Sequence, residues 1–320
     1  MIIKSQNYSW RKKMFKKILT ATDLLEACDA PVVTALEIAK QTNAKLLILH
    51  VLESPDPGQF RLFVKDFKTG EEIIASTEYK ETVREQIDNQ CAGALKPYGN
   101  YEIKTTIGLP WEEILRWARK EKVDLIVLGP HAGRAKEKGV VRLSGMLGST
   151  AEGVIMHARC PVMIVNRLIP KEKLEFKKII VCIDFSKSCK YAFQFAAKLV
   201  KKYNGELFIF HMLSVSPTGR YPQIELETEM ESLKQKLEKE CKKISEGIEQ
   251  KCDIWEGTTP YLEILKYARE KDADLIVMGS HTKEKEKRWY VGSAVEQVSS
   301  RAACPVMVVT DPKALLKFED

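Results

Sequence analysis

Acidic residues, glycines and serines stand at matching places in the two halves of this 320-residue chain, a combination suited to binding a charged small molecule. Asp23 and Asp184 each end an apolar run, and Gly-Ser pairs at 148–149 and 292–293 begin a predicted helix. An acidic side chain can accept hydrogen bonds from a ribose hydroxyl or an exocyclic amine. Glycine and the N–H groups of a helix N-terminus suit a phosphate. We therefore predict a nucleotide, with its base end near the Asp and its phosphate end near the glycines.

The segment before each Gly-Ser pair adds a histidine and positive charge. Gly129 and Gly279 end an apolar run, and His131 and His281 follow two residues later. We expect these histidines to supply ring or backbone contacts to a phosphate rather than to act as general bases. The basic residues that follow are Arg134, Lys136, Lys138 and Arg142 in the first half and Lys283, Lys285, Lys287 and Arg288 in the second.

Each of these residues also has a purely structural interpretation. Asp23 and Asp184 could cap the turn into the next helix, and the glycines could serve only to make turns. His50 and His211 end the second apolar run of each half. We expect both rings to be structural, hydrogen-bonded and partly buried, and we assign no residue a catalytic role.

A long internal repeat determines how these residues must be positioned. Residues 177–312 repeat residues 16–166 block by block, so that KKILTATD at 16–23 returns as KKIIVCID at 177–184. A repeat of this length is a whole domain and is too long for a solenoid unit. The chain is therefore predicted to contain two copies of one fold.

Short apolar runs alternate with longer amphipathic stretches in each copy, which predicts an α/β fold. The first copy has predicted strands at 18–22, 46–51, 101–107, 125–129 and 162–165, and predicted helices at 29–41, at 72–96, from Pro110 and from Ser149. This order predicts two tandem, doubly wound, Rossmann-like parallel sheets of five strands, with helices on both faces. Such sheets bind ligands beyond the carboxyl ends of their strands, where the Asp and Gly residues would meet.

The domain boundaries follow from the repeat. We predict a basic extension at 1–13, a first domain at 14–166, a linker at 167–176, a second domain at 177–312 and a tail at 313–320. The first copy also has extra apolar residues within 53–72, which predict a small hairpin or a lid packed on a neighbour.

Composition and charge indicate which classes of partner this protein is not expected to bind. The net charge of +7 is spread among interleaved acidic and basic residues, which favours a solvated surface over a nucleic-acid interface. No apolar run approaches the roughly 18–20 residues of a membrane helix, and residues 1–13 lack the pattern of a secretory signal. The eight cysteines show no metal-binding spacing, and Cys160, Cys182 and Cys304 are predicted to be buried thiols. We expect a cytoplasmic protein with neither a nucleic-acid nor a membrane partner.

With these residues in place, the chain resembles the universal stress protein family in its tandem form. Nucleotide-binding members of this family carry G-x2-G-x9-G-[ST] after the fourth strand. The second copy keeps this spacing between Gly279 and Gly292, with Thr282 at the second glycine. In the first copy that glycine is displaced to Gly133, and the loop before Gly148 is longer.

The resemblance implies an adenine nucleotide alpha hydrolase-like fold and an ATP or AMP ligand, with Mg²⁺ accompanying ATP. The positions that match the family's binding residues in the first copy are Ala21, Thr22, Asp23, Val51, Leu128, Gly129, His131, Gly133, Gly148, Ser149 and Thr150. In the second copy they are Cys182, Ile183, Asp184, Met212, Met278, Gly279, His281, Thr282, Gly292, Ser293 and Ala294. The resemblance also implies that the two final strands pair antiparallel, as an internal pseudo-dimer.

These observations favour an ATP- or AMP-binding stress-response or signalling protein whose two sites are inequivalent. A Cβ at Thr282, where glycine would permit positive φ, would weaken a triphosphate more than a monophosphate. One alternative is a slow ATP hydrolase, although no Walker motif G-x4-G-K-[ST] is present. Another is a scaffold that binds no nucleotide and acts through partner contacts. Further pairing of whole chains into a homodimer stays open.

Overall fold

A computed structural model of the chain describes residues 14–24, 30–54, 63–66, 69–131, 146–216, 222–242, 244, 247–280 and 291–310. The elements of the first half are β1 (Lys17–Ala21), α1 (Ala30–Thr42), β2 (Lys45–Glu53), β3 (Phe63–Lys65), β4 (Glu72–Ile74), α2 (Thr77–Leu95), β5 (Tyr101–Gly108), α3 (Pro110–Glu121), β6 (Leu125–Leu128), α4 (Ser149–His157) and β7 (Val162–Ile164). After a short 3-10 helix at Lys171–Glu175, the second half contains β8 (Lys178–Cys182), α5 (Lys187–Tyr203), β9 (Glu206–Ser214), α6 (Gln223–Lys242), β10 (Gln250–Gly257), α7 (Pro260–Glu270), β11 (Leu275–Gly279), α8 (Ser293–Arg301) and β12 (Val306–Val309).

Ten of the described strands form one continuous sheet in the order β10-β9-β8-β11-β12-β7-β6-β1-β2-β5, and β3 and β4 form a separate pair. Within each half all neighbouring strands of the ten-stranded sheet are parallel, which confirms the predicted doubly wound folds. β7 and β12 pair antiparallel, with Met163 opposite Met307. The final strand of each half therefore covers that of the other half, as the family resemblance implied.

One predicted element is wrong at its beginning. We predicted a helix over 72–96, but residues 72–74 form β4, which pairs antiparallel with β3. Ser76 ends this pairing because its side chain accepts a hydrogen bond from the Tyr79 N–H at 3.1 Å and so caps α2. Of the two predictions for the extra segment, the β3–β4 pair shows the hairpin, and Val64 is fully buried.

Apolar side chains fill both faces of the sheet, in two clusters that each span both halves. Phe176 is completely buried on one face and Tyr267 on the other. The predicted burial of Cys160, Cys182 and Cys304 is confirmed, and burial raises the pKa of the Cys304 thiol to about 12. Among the described residues, no helix has the length and apolar character needed to span a bilayer.

An aspartate fixes the first strand of each half to the strand beside it. The Asp124 carboxylate accepts hydrogen bonds from the backbone N–H groups of Lys16 and Lys17 at 2.8 and 3.0 Å. Asp274 does the same for Lys177 and Lys178 at 2.9 and 3.0 Å. The repeated Asp in VDLIV and ADLIV therefore sets where the first strand begins.

Replacing Asp274 tests this contact. Asp274 is buried, so Asp274→Ala would leave two backbone N–H groups unpaired and lower the free energy of unfolding by about 2–3 kcal/mol. Asp274→Asn, which keeps one oxygen, should cost less. Urea denaturation measures both changes. Asp272→Asn is the control, because this exposed residue contacts mainly lysine side chains and asparagine tolerates its left-handed backbone, so the change should cost under about 1 kcal/mol. Equal losses for Asp272→Asn and Asp274→Ala would contradict the assignment.

Candidate functional site

The turn that follows the first strand has the same strained backbone in both halves. Leu24 and Phe185, directly after Asp23 and Asp184, have φ values of 65° and 62°. Large side chains rarely adopt this left-handed conformation, which costs roughly 1–3 kcal/mol and persists only where surrounding contacts impose it. The turn carries each Asp beyond the carboxyl end of its strand, at the edge where the sequence predicted a ligand.

A histidine from the second strand holds each turn in place. The Nδ1 atom of His50 lies 2.8 Å from the Thr22 carbonyl oxygen, and that of His211 lies 2.8 Å from the Ile183 carbonyl oxygen. Each ring must therefore donate its Nδ1–H to the carbonyl that immediately precedes the Asp. In the second half, the Phe185 ring also packs edge-on against His211, with centroids 4.8 Å apart. The structural role that we predicted for both histidines is confirmed.

The capping interpretation is correct in part for Asp184. The Asp184 carboxylate accepts a hydrogen bond from the Ser186 N–H at 3.0 Å, so it does stabilise the turn. The residue that caps α5 is Ser186 itself, whose hydroxyl accepts from the Cys189 N–H. Asp184 is exposed, and a carboxylate can accept several hydrogen bonds at once, so it can accept from a ligand in addition to these groups.

Glycines begin the helices on the phosphate side. Gly148 and Gly292 are the N-cap residues of α4 and α8, and neither can supply the side-chain cap that serine or aspartate would. The first residues of these helices, Ser149 and Ser293, are exposed. Free N–H groups and a hydroxyl at an accessible helix N-terminus favour an anion. The Gly148 N–H donates to the Pro130 carbonyl at 2.8 Å, which joins this helix to the end of β6.

Most of the predicted binding residues lie in or directly after strands of the parallel sheet, or in the first turns of α4 and α8. Ala21, Thr22 and Asp23 end or follow β1; Val51 lies in β2; Leu128, Gly129 and His131 end or follow β6; and Thr150 is in the first turn of α4. Cys182, Ile183 and Asp184 end or follow β8; Met212 lies in β9; Met278 and Gly279 end β11; and Ala294 is in the first turn of α8. Gly133, His281, Thr282 and the eight basic loop residues lie outside the described residues.

The strand-ending glycines of the two halves have different surroundings. A Cβ on Gly279 would lie 2.5 Å from the Ser188 carbonyl carbon and 2.6 Å from the Cys189 nitrogen. Among the described residues, none would lie closer than 3.4 Å to a Cβ on Gly129, which is an ordinary contact. Gly279 is therefore required by the close approach of α5, whatever the ligand, so its structural interpretation is supported.

Sequence reasoning missed one contact between the halves. Glu296, in the first turn of α8, accepts a hydrogen bond at 3.2 Å from the N–H of Leu147, the residue before Gly148. A side chain of the second half thus contacts the phosphate-side segment of the first half. The matched glutamates in STAE at 149–152 and SAVE at 293–296 were the available signal.

Alanine at each strand-ending glycine should separate the two environments. Gly279→Ala forces a backbone shift of α5 and should lower the free energy of unfolding by about 2 kcal/mol or more. Gly129→Ala should cost under about 1 kcal/mol, since its Cβ fits. Thermal and urea denaturation measure both, with Gly93→Ala, in open space on α2, as control. Similar costs at 129 and 279 would show that α5 does not pack as described.

The buried ring of His50 makes stability depend on pH. Burial lowers the pKa of His50 below 6.5, against the raising effects of the Thr22 carbonyl and Asp23. Because the pKa of this histidine is higher in the unfolded chain, the unfolded chain binds more protons than the folded chain as pH falls. The free energy of unfolding therefore decreases as pH drops through the unfolded-state pKa of about 6.5. His50→Asn keeps a donor and does not titrate, so it should lose less stability between pH 7 and 5 than the parent. Parallel urea-derived stability curves would contradict this expectation.

Comparisons with known proteins agree with this architecture. A family model, the universal stress protein family, matches residues 14–166 and 175–310. Universal stress protein MJ0531 of Methanocaldococcus jannaschii is 33% identical over 156 residues, which are 47% of this chain and 91% of that protein. Universal stress protein YxiE of Bacillus subtilis is 32% identical over 146 residues, 42% of this chain and 99% of that protein.

These relatives thus correspond to about one half of the chain. A solved universal stress protein from Archaeoglobus fulgidus covers both halves, 94% of this chain and 98% of its own, with a TM-score of 0.64 and 24% identity, which supports the fold. Because the family model matches each half in turn and together most of the chain, this protein belongs to the universal stress protein family, as a tandem of two such domains.

Proposed function

We propose that the chain binds an adenine nucleotide, ATP or AMP, in each half, and acts in stress response or signalling. The main support for this proposal is the strained turn at Asp23, which recurs at Asp184. Both halves hold an Asp beyond the sheet by a left-handed residue and a histidine-bound carbonyl. Left-handed residues also recur just after helices, at Asn43 with Asn204 and at Lys122 with Asp272, where this conformation commonly ends a helix. Leu24 and Phe185 instead follow a strand and are large apolar residues, and strain of that kind is typical of a binding site more than of a plain connection.

The two ends of each site suit the two ends of a nucleotide. At the base end, Asp23 or Asp184 offers acceptors for ribose hydroxyls or an exocyclic amine. At the phosphate end, the glycine-capped starts of α4 and α8 offer helix-terminal N–H groups, to which the N-cap residue supplies no side-chain cap, and a serine hydroxyl. Both ends lie at the carboxyl edge of a parallel sheet, the usual ligand position in such folds.

Mg²⁺ accompanying ATP would be held mainly by the nucleotide. Within the described ranges, no three His, Cys, Asp or Glu side chains are grouped so as to hold a metal ion. Mg²⁺ commonly keeps several waters and binds substrate phosphates with few protein ligands. The serines at the helix starts, Ser149 and Ser293, are the nearby hydroxyls that would orient this hydrated ion.

The two sites should differ in affinity. In the second half, the first turn of α5 packs directly on Gly279, whereas Gly129 has space around it. In the first half, Leu147 is held by Glu296 from the other half. Since these contacts fix the phosphate-side backbone differently, we expect two binding events with distinct dissociation constants.

Calorimetric titration with ATP and with AMP tests the proposal. Asp23→Asn and Asp184→Asn should each weaken one of two binding events by about 10- to 100-fold, since a lost hydrogen bond to a charged group is worth roughly 1.5–3 kcal/mol. Asp272→Asn is the matched control, because this exposed Asp precedes β11 at the opposite edge of the sheet. GTP tests selectivity for the base.

Three results would separate the alternatives. Mass spectrometry of the denatured protein should detect co-purified adenine nucleotide. Absence of bound nucleotide together with no heat from ATP or AMP would overturn the proposal and favour the scaffold. ATP turnover near or above roughly 1 s⁻¹ would instead indicate a dedicated hydrolase.

A further inference from the structure

The outer edge of the second half contains a groove that lies apart from the proposed nucleotide sites. Its floor is β10 at residues 254–256, and its walls are α6 at 226–230 and α7 at 263–270. The volume of this β10 groove is about 620 Å³. β10 is the last strand of the ten-stranded sheet, so the groove runs along an open sheet edge.

The backbone of β10 presents hydrogen-bonding groups to this groove. The carbonyl of Glu249, just before β10, accepts from Leu207 of β9, and that of Gly257 accepts from Val215, just after β9. The odd-numbered residues of β10 therefore direct their N–H and C=O groups towards β9. Alternation along the strand directs the N–H and C=O groups of Ile254 and Glu256 outward, into the groove. No other described strand pairs with this edge. An edge of this kind is a template for an added strand.

The groove is acidic, although the chain as a whole is basic. Glu227, Glu256, Glu263 and Glu270 line it, against the single lysine Lys266. Its net formal charge is therefore −3, from four acids and one base, in a chain of net charge +7. Local charge opposite to the overall charge favours a positively charged partner and disfavours a second copy of the same edge.

Apolar side chains supply a contact surface between these charges. The Trp255 ring is fixed edge-on against Tyr267 and Phe210, with centroids 5.2 and 5.7 Å away. Leu226 and Met230 lie on the facing wall. A fixed aromatic ring beside apolar side chains, within a charged rim, is the usual composition of a peptide-binding site.

The first half lacks this surface at the matching edge. β5 has Thr105 and Thr106 where β10 has Ile254 and Trp255. The Thr106 hydroxyl donates to Glu113 at 2.8 Å and accepts from Arg116 at 3.1 Å, so these polar groups satisfy one another. The aromatic side chain and the edge glutamate that β10 places in the groove are thus not repeated at the matching positions of β5, where Thr106 and Ile107 stand.

We propose that the β10 groove binds an extended, lysine- or arginine-bearing segment of another protein, which adds to the sheet as a strand beside β10. Backbone hydrogen bonds to Ile254 and Glu256 supply affinity in such strand addition, and alternate side chains supply specificity. Basic side chains of the segment face the glutamates, and apolar ones contact Trp255 and Met230. This inference does not depend on nucleotide binding.

Fluorescence anisotropy with a labelled seven-residue peptide of alternating lysine and valine tests the inference. Two N-methylated versions are compared: one carries methyl groups on the backbone nitrogens of its lysines, and the other on the backbone nitrogens of its valines. Because one edge of a strand uses only alternate N–H groups, one version should bind about tenfold more weakly or worse and the other within about threefold of the parent. No effect of either methylation, or equal effects of both, would overturn strand addition.

Charge-reversed variants locate the binding site. Glu227→Lys and Glu270→Lys should each weaken binding of the unmodified peptide by about tenfold. Glu112→Lys, an exposed position on α3 of the first half, makes the same change in net charge and should have little effect. Equal weakening by all three would indicate only general attraction and would overturn the site. A dimer in sedimentation velocity that Glu227→Lys dissociates, without peptide binding, would assign the groove to a second copy and also overturn the proposal.

Discussion

The antiparallel pairing of β7 with β12 is the constraint on which the rest of the structure depends. Both strands are completely apolar and buried, and each would be an exposed edge if its half stood alone. Pairing removes both edges at once and merges two five-stranded sheets into one of ten. Two hydrogen bonds beside the junction join equivalent positions of the repeat. Asn166 donates to the Ala302 carbonyl, and Thr310 donates to the Ala158 carbonyl.

This junction also lets a side chain of the second half contact the proposed phosphate end of the first half. α4 and α8 each precede a paired strand, so their first turns lie near the boundary between halves. Glu296 spans that boundary to the Leu147 N–H, one residue before the N-cap of α4. A nucleotide bound in the first half, as proposed, would therefore contact a helix start that a residue of the second half helps to position. The duplication provides a fixed arrangement that two separate subunits would reach only by association.

Much of this fold could be predicted from the sequence, because apolar runs and the repeat are local signals. The strands, the helix from Pro110 and the Asp at the end of each first strand all lie where the pattern indicates. β4 was missed because a three-residue strand beside a helix carries too little periodicity, and only its pairing with β3 defines it. The left-handed backbone at Leu24 and Phe185 has no sequence signal of its own, since glycine or asparagine is the residue expected there.

The two copies also show why a shared motif need not have a shared role. Gly129 and Gly279 occupy one position in the repeat, yet only Gly279 is required by the approach of a neighbouring helix. At the sheet edges, Thr106 satisfies its neighbours in the first half, while Trp255 leaves a groove in the second. When one copy of a duplicated fold keeps a given side-chain contact, the other copy can have a different contact at the equivalent position. The inequivalence of the halves therefore arises at the helix approaches and the outer edges, while the paired centre of the sheet holds both to one geometry.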